Sequence, residues 1–331
     1  MVRIEDVARH AGVSIATVSR VINGNYRVST AKYNKVLKAI EELGYKSPKL
    51  QYENRQKQIL IISSLINEDM IRCFEDSASK FNLSTLYKYI PESEVDIDML
   101  PSKSDFDGII ILDALVTAET YEKLKKLCPV VLCRVQYNYP DTVSVSVDDE
   151  LVAYDITSYF IKKGKRNIAL VCDMDRSISS GTTNLIRLAD RKRILNGYYL
   201  AHIDNGLPIR SDLIIYADDF VESNLVESRF RELLADPEIC PDAVFSASIA
   251  FALDLMEIAK SCGKQMPRDI EFATCGGMFS HLELPGITYA GQPLDRLADV
   301  SVQTLNSMMK GELPADRQHH IYIEHTFLPG R

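Results

Sequence analysis

The 331-residue sequence contains no run of about eighteen apolar residues, so it offers no segment able to span a bilayer as a helix. Its first stretch, MVRIEDVARH, lacks the apolar core of a secretory signal, and a cytoplasmic location is expected. The seven cysteines are scattered and form no CxxC pair. Cys133 and Cys172 fall inside apolar runs, where a reduced, buried thiol is the ordinary reading. Signatures of catalysis are missing too. There is no GxGxxG after a strand-like run, no GxSxG, and KKGKRN lacks the spacing of a phosphate-binding loop. His319 and His320 have no carboxylate at metal-binding spacing, and Cys275 in TCGGM has no histidine placed to activate it. The sequence therefore predicts neither an enzyme nor a metal or organic cofactor.

What is present is an uneven charge. Residues 1–50 carry a net +5, against −13 for residues 51–331. A small basic head on an acidic body lets the head meet phosphates while the body stays soluble and off nucleic acid.

Three short helical patterns fill the head. Ile4, Val7, Ala8 and Ala11 share a face, and Gly12 ends that helix. Ser14 is placed to cap a second helix with Val18, Val21 and Ile22 inward. Ser29 or Thr30 caps a third, with Tyr33, Val36, Leu37, Ile40 and Leu43 inward and Gly44 as the stop. Two helices joined by a glycine turn form a helix-turn-helix, whose second helix presents its amino-terminal residues to the major groove. Ile15, Ala16 and Thr17 then lie where base edges would be, with Ser19, Arg20 and Asn23 further along to reach phosphate or a guanine edge.

Residues Ile4–Tyr45, with the core AGVSIATVSRVIN, resemble the DNA-binding head of the LacI/GalR family of bacterial regulators. Carried over by position, the resemblance makes Ser14, Ile15, Ala16, Thr17, Ser19, Arg20 and Asn23 recognition-helix contacts. It also assigns Ile4, Arg27, Ser29 and Tyr45 to the DNA backbone or the half-site edge. The Ile15–Ala16 pair is similar to the Val-Ala pair of galactose-type repressors. Two positions depart from the family pattern. Arg3 stands where a capping Thr is usual, and the linker KSPKLQYENRQKQ (46–58) has Asn54 where the family places a Leu that wedges into the minor groove. Without the wedge, DNA bending weaker than in relatives is expected, measurable by circular-permutation gel shift.

Beyond Gln58 the pattern becomes apolar strands alternating with amphipathic helices. Strand-like runs occupy 59–63, 108–112, 130–133 and 143–147, then 168–172, 213–216, 243–247 and 271–275, with helices at 149–163 and 249–262 among those between them. That alternation implies two doubly wound parallel sheets, with ligands bound at the carboxyl ends of the strands. The resemblance extends here through CPVVLCRVQYNYPDTVSVSVDDE, PDAVFSASIAFAL and ITYAGQPLDRLADVSVQTL, and implies a two-lobed periplasmic-binding-protein-like domain. The expected organisation is a helix-turn-helix head at 1–46, a linker at 47–58 and an effector-binding and dimerisation domain at 59–331. Its lobes split near 147, with crossovers near 291 and 317.

The family's usual sugar contacts are depleted. Ser248–Ile249 replaces an Asn-Asp pair, Gly276–Gly277 replaces an acid, and Ile194 holds the place of an Arg three residues before Gly197. Arg191, Lys192 and Arg193 lie beside that place, and Gln292 keeps a polar, ligand-facing identity. Two readings follow. In one, a carbohydrate-related or anionic metabolite (a sugar, sugar phosphate or other small molecule) meets Arg191, Arg193, Ser248, Gly276 and Gln292 in the cleft. In the other, the body is a dimerisation and co-regulator docking module with no small-molecule effector. Both make the chain a regulator, expected to repress, that binds a double-stranded DNA operator as a homodimer or a pair of dimers at the nucleoid.

Overall fold

A computed structural model describes residues 2–22, 28–45, 56–64, 66–90, 95–114, 116–134, 141–174, 185–218, 223–275, 286–313 and 317–330. The chain divides into two units, Met1–Lys57 and Gln58–Arg331.

The first unit holds α1 (Ile4–Ala11), α2 (Ile15–Ile22) and α3 (Thr30–Leu43). Gly12 and Gly44 close α1 and α3 at φ 63° and 60°, in the left-handed region that a side chain would strain. Arg3 offers no side-chain cap, but Asp6 reaches back to accept from the Arg3 N–H at 2.9 Å, so the first turn keeps one half of a capping box. Val7, Ala8, Ala11, Val18, Val21, Ile22, Val36 and Ala39 form the core. Tyr33 and Leu37, expected to face inward, are 40% and 42% exposed. The buried stripe of α3 instead runs through Val36 and Ala39, with Ile40 and Leu43 packed at its margin. The small side chain of Ala39 lies in this core while the larger Tyr33–Leu37 edge lies outside it.

The second unit begins with β1 (Gln58–Ser63), α4 (Glu68–Ser79), β2 (Ser84–Tyr89), β3 (Gly108–Leu112), α5 (Ala118–Leu127), β4 (Val130–Cys133) and β5 (Val143–Val147). It continues through α6 (Asp149–Lys162), β6 (Ile168–Met174), α7 (Leu185–Asp204), β7 (Ile214–Asp218), α8 (Ser223–Ala235), β8 (Ala243–Ser246), α9 (Ile249–Ser261) and β9 (Glu271–Cys275). The last elements are β10 (Ile287–Gly291), α10 (Leu294–Met309), β11 (His319–Ile323) and β12 (Thr326–Leu328).

The strands form two six-stranded sheets, ordered β11-β5-β4-β3-β1-β2 and β12-β10-β9-β8-β6-β7. Every pairing is parallel except β10 with β12. This is the two-lobed α/β architecture that the alternation predicts. The eight runs read from sequence are the apolar strands; the four unread ones are β2, β10, β11 and β12. Three of these lie on sheet edges, where a strand needs less apolar character to be stable.

The chain passes between the sheets three times: after β5, between β10 and β11, and between β11 and β12. Helix α6 packs on α7 and on the second sheet, whereas α10 packs on α4 and the first sheet. Gly197 permits the α6–α7 crossing. A Cβ there would sit 2.1 Å from the Glu150 carbonyl oxygen and 2.8 Å from the Tyr154 amide nitrogen.

Candidate nucleic-acid interface and effector cleft

The amino-terminal end of α2 carries no acidic residue in its first turn. No side-chain charge therefore offsets the positive end of its dipole, an arrangement that favours phosphate or an electronegative base edge. Ser14 caps it: the Thr17 N–H donates to Ser14 Oγ at 3.2 Å, and the two hydroxyls lie 2.9 Å apart. Ser14, Ile15, Ala16 and Arg20 are exposed; Thr17 and Ser19 are half-buried. Ile15 leaves 48% of its surface to solvent, a cost in water that an apolar contact in a groove would remove.

Beside this end lies a depression of about 450 Å³ bounded by Arg9, Gly12, Ser14, Thr17 and Lys32. One cation from α1, Arg9, and one from α3, Lys32, line it. Ser29 is exposed at the start of α3. Ile4 and Tyr45 are half-buried against the head core, so packing accounts for much of their surface. Asn23 and Arg27 lie outside the described residues, as does the linker from 46 to 55.

In the second unit, charge collects at the carboxyl ends of the first-lobe strands. Asp113 follows β3 and Arg134 follows β4, both in left-handed backbone at φ 54° and 63°. For a non-glycine residue such backbone costs on the order of 1 kcal/mol and is concentrated at functional sites. Backbone bonds hold the pair there: the Asp113 N–H donates to the Cys133 carbonyl at 3.2 Å, and the Arg134 N–H to Val145 at 2.9 Å. Arg134 Nη1 stands 3.6 Å from Asp113 Oδ2, with only 13% of its side chain exposed. Asp148 caps α6 through the amides of Glu150 and Leu151. Burial pushes the Asp149 carboxyl up to about 6, against the pull of the Arg134 and Arg193 guanidiniums and with Asp148 and Asp113 adding to the rise.

Of the cleft residues read from sequence, Arg193 joins this group. It is half-buried on α7, and its Nη1 donates to Tyr322 Oη at 3.3 Å. Ile194 is 5% exposed and belongs to the core. Gln292 follows β10, is 8% exposed, and its Oε1 has no hydrogen-bond partner among the described residues. Ser248 occupies the N-cap position of α9 but caps nothing with its side chain; its N–H and carbonyl both engage Ser246 Oγ. The Arg191 side chain and Gly276 lie outside the described residues. Asp113, Arg134 and Asp149 are additions that the sequence reading did not single out. Their signal was there to find: each stands at or just past the end of an apolar strand run (GIIIL-D, VVLC-R, VSVSV-DD).

A family model described as bacterial regulatory proteins, lacI family, matches residues 3–47, and one for the periplasmic binding protein-like domain matches residues 157–330. Catabolite control protein A of Priestia megaterium is 31% identical over 323 residues, covering 94% of this chain and 93% of that protein. The chain belongs to the lacI family of bacterial regulatory proteins. The catabolite control protein A of Staphylococcus xylosus is 28% identical over 329 residues, covering 94% of this chain and 93% of that protein. Among solved structures, a transcriptional regulator CelR–cellobiose complex aligns at TM-score 0.63 and 23% identity over 99% of both chains. The lac repressor dimer bound to operator and the anti-inducer ONPF aligns at TM-score 0.61 and 19% identity, over 99% of this chain and 98% of that one. This lacI-family protein is thus a DNA-binding transcriptional regulator with the fold of those structures, and among its described residues no helix is long and apolar enough to cross a membrane.

Proposed function

We propose that this regulator represses transcription by binding a pseudo-palindromic operator as a homodimer. In this reading Ser14, Ile15, Ala16, Thr17, Ser19 and Arg20 read the major groove, and a small molecule between the lobes of the body sets operator affinity. The observation that carries the DNA assignment is the capped, acid-free end of α2 with Ile15 and Ala16 exposed at its tip. A head with one such end makes few base contacts, so two heads related by a two-fold axis are needed for useful specificity. The operator-bound dimer among the structural neighbours supports this arrangement.

The cleft chemistry favours a neutral, polyhydroxylated effector over an anion. Three carboxylates (Asp113, Asp148, Asp149) stand among two guanidiniums (Arg134, Arg193), so an incoming anion meets net negative charge. Hydroxyl groups can donate to Asp113 or Asp149 and accept from Arg134, satisfying buried polar groups without adding charge. The neighbour solved with cellobiose is consistent with that class. Ile4, Asn23, Arg27, Ser29 and Tyr45 remain assigned to the DNA side, and Arg191, Ser248, Gly276 and Gln292 to the effector.

In vitro selection of duplexes bound by the full chain tests the first part: Ile15→Val should alter the preferred bases at one position per half-site, and an unchanged preference would remove Ile15 from the groove. A thermal-shift panel of neutral sugars, sugar phosphates and small organic acids tests the second. Stabilisation by a neutral sugar supports the cleft reading. A hit confined to anions would contradict it, and silence across the panel would favour the body as a docking module for a protein co-regulator.

A further inference from the structure

We propose that Arg193 and Tyr322 form a latch between the two lobes that holds their spacing, so that releasing it shifts the lobes and with them operator affinity. Arg193 projects from α7, a helix packed on α6 and on β6 of the second sheet. Its Nη1 donates to the phenol of Tyr322, which belongs to β11 on the edge of the first sheet. One hydrogen bond therefore joins side chains carried by opposite lobes.

The backbone carrying each end of the latch is held by neighbouring contacts. One turn beyond Arg193, Gly197 presses against the backbone of α6 with no room for a Cβ, and Asn196 Nδ2 donates to Glu150 Oε2 at 3.3 Å. On β11 the neighbouring His320 is fixed from both ring nitrogens, Nδ1 by Ser144 Oγ at 2.5 Å and Nε2 by the Gln318 amide at 2.7 Å. Tyr322 stands just before Glu324 and His325, the two residues through which the chain passes from β11 to β12 and hence from one sheet to the other. The latch thus sits at a crossover, where a small displacement becomes a rotation of one lobe against the other.

The Arg193 guanidinium, like that of Arg134 in the first lobe, exerts an attractive pull on the Asp149 carboxylate. A ligand that takes the Asp149 carboxylate changes the field holding Arg193, which links the latch to the cleft. This coupling rests on the effector reading above; the latch itself does not. A partly exposed guanidinium–phenol bond is weak enough to act as a switch, and its loss should change the lobe equilibrium about fivefold.

The test uses the full chain without effector. Tyr322→Phe removes one oxygen and keeps the ring, and Arg193→Gln is the partner variant. Hydrogen–deuterium exchange is followed at Glu324, His325 and Thr326, together with affinity for a duplex obtained by selection. Exchange at these amides should rise about fivefold in both variants, with operator Kd moved several-fold and Tm of the body kept within about 2 °C. Wild-type exchange and affinity in Tyr322→Phe overturn the latch, and an effect confined to Arg193→Gln also overturns it, because Arg193 then acts without Tyr322. Should no effector be found for the wild-type protein, the cleft reading fails while these ligand-free outcomes still decide the latch.

Discussion

The candidate DNA-reading end of the head and the candidate effector site of the body are built in opposite ways. The head's candidate contacts from Ser14 to Arg20 are consecutive in sequence, held by one cap and one glycine turn. The cleft gathers Asp113, Arg134, Asp149 and Arg193 from four separate elements, each placed by a strand end or a helix crossing. A site made of one turn of helix can be exchanged by local substitution, whereas a site made of strand ends depends on the packing of the whole lobe.

Substitutions that strike one region and spare the other sharpen this contrast. The largest effect is expected from Gly197→Ala. Its Cβ would meet backbone rather than a yielding side chain, so the body should lose about 3 kcal/mol or more while the head melts as before. Calorimetry resolving two transitions would check it, and a common downward shift of both would mean that the units are not independent.

Arg20→Ala is the converse. It should weaken binding to a selected duplex by roughly 10- to 100-fold by anisotropy, with the melting of both units unchanged. Ser14→Ala should cost the head about 1 kcal/mol through loss of the cap and blunt affinity further by freeing Thr17.

The smallest effect concerns Asp149. Its folded-state value lies above that of an unfolded aspartate, so the native state holds the proton more tightly. The stabilisation this provides is fully present below about pH 4 and lost as pH rises through about 6. Asp149→Asn should remove that slope and leave the body more stable near neutral pH by on the order of 1 kcal/mol, the full shift being discounted for solvent and neighbouring charges. Denaturant titrations of both proteins at pH 4, 5, 6 and 7 provide the comparison.

The same contrast explains what was legible before the structure. Glycine stops, a serine cap and a periodic apolar stripe are local signals, and they located all three helices of the head. They failed at Tyr33 and Leu37, because periodicity gives the phase of a stripe only to within a residue or so of its edge. In the body, short apolar runs marked eight parallel strands, seven of them interior to their sheets and one, β7, at an edge. STLYKY and HHIYI carry no such run, and their pairing with β1 and β5 is fixed by topology alone. The cleft was read mainly through residues that the family pattern led one to look for. The strand-end charges of Asp113, Arg134 and Asp149 were passed over because a single charge after an apolar run is common, and only assembly brings these three together.

One edge of each sheet is supplied late, β11 by residues 319–323 and β12 by residues 326–328. On the ribosome, neither lobe can be completed until those residues emerge, whereas the head has all three of its helices by residue 43. A nascent chain therefore carries the three helices of its head for most of its synthesis before either sheet of the body has all its strands.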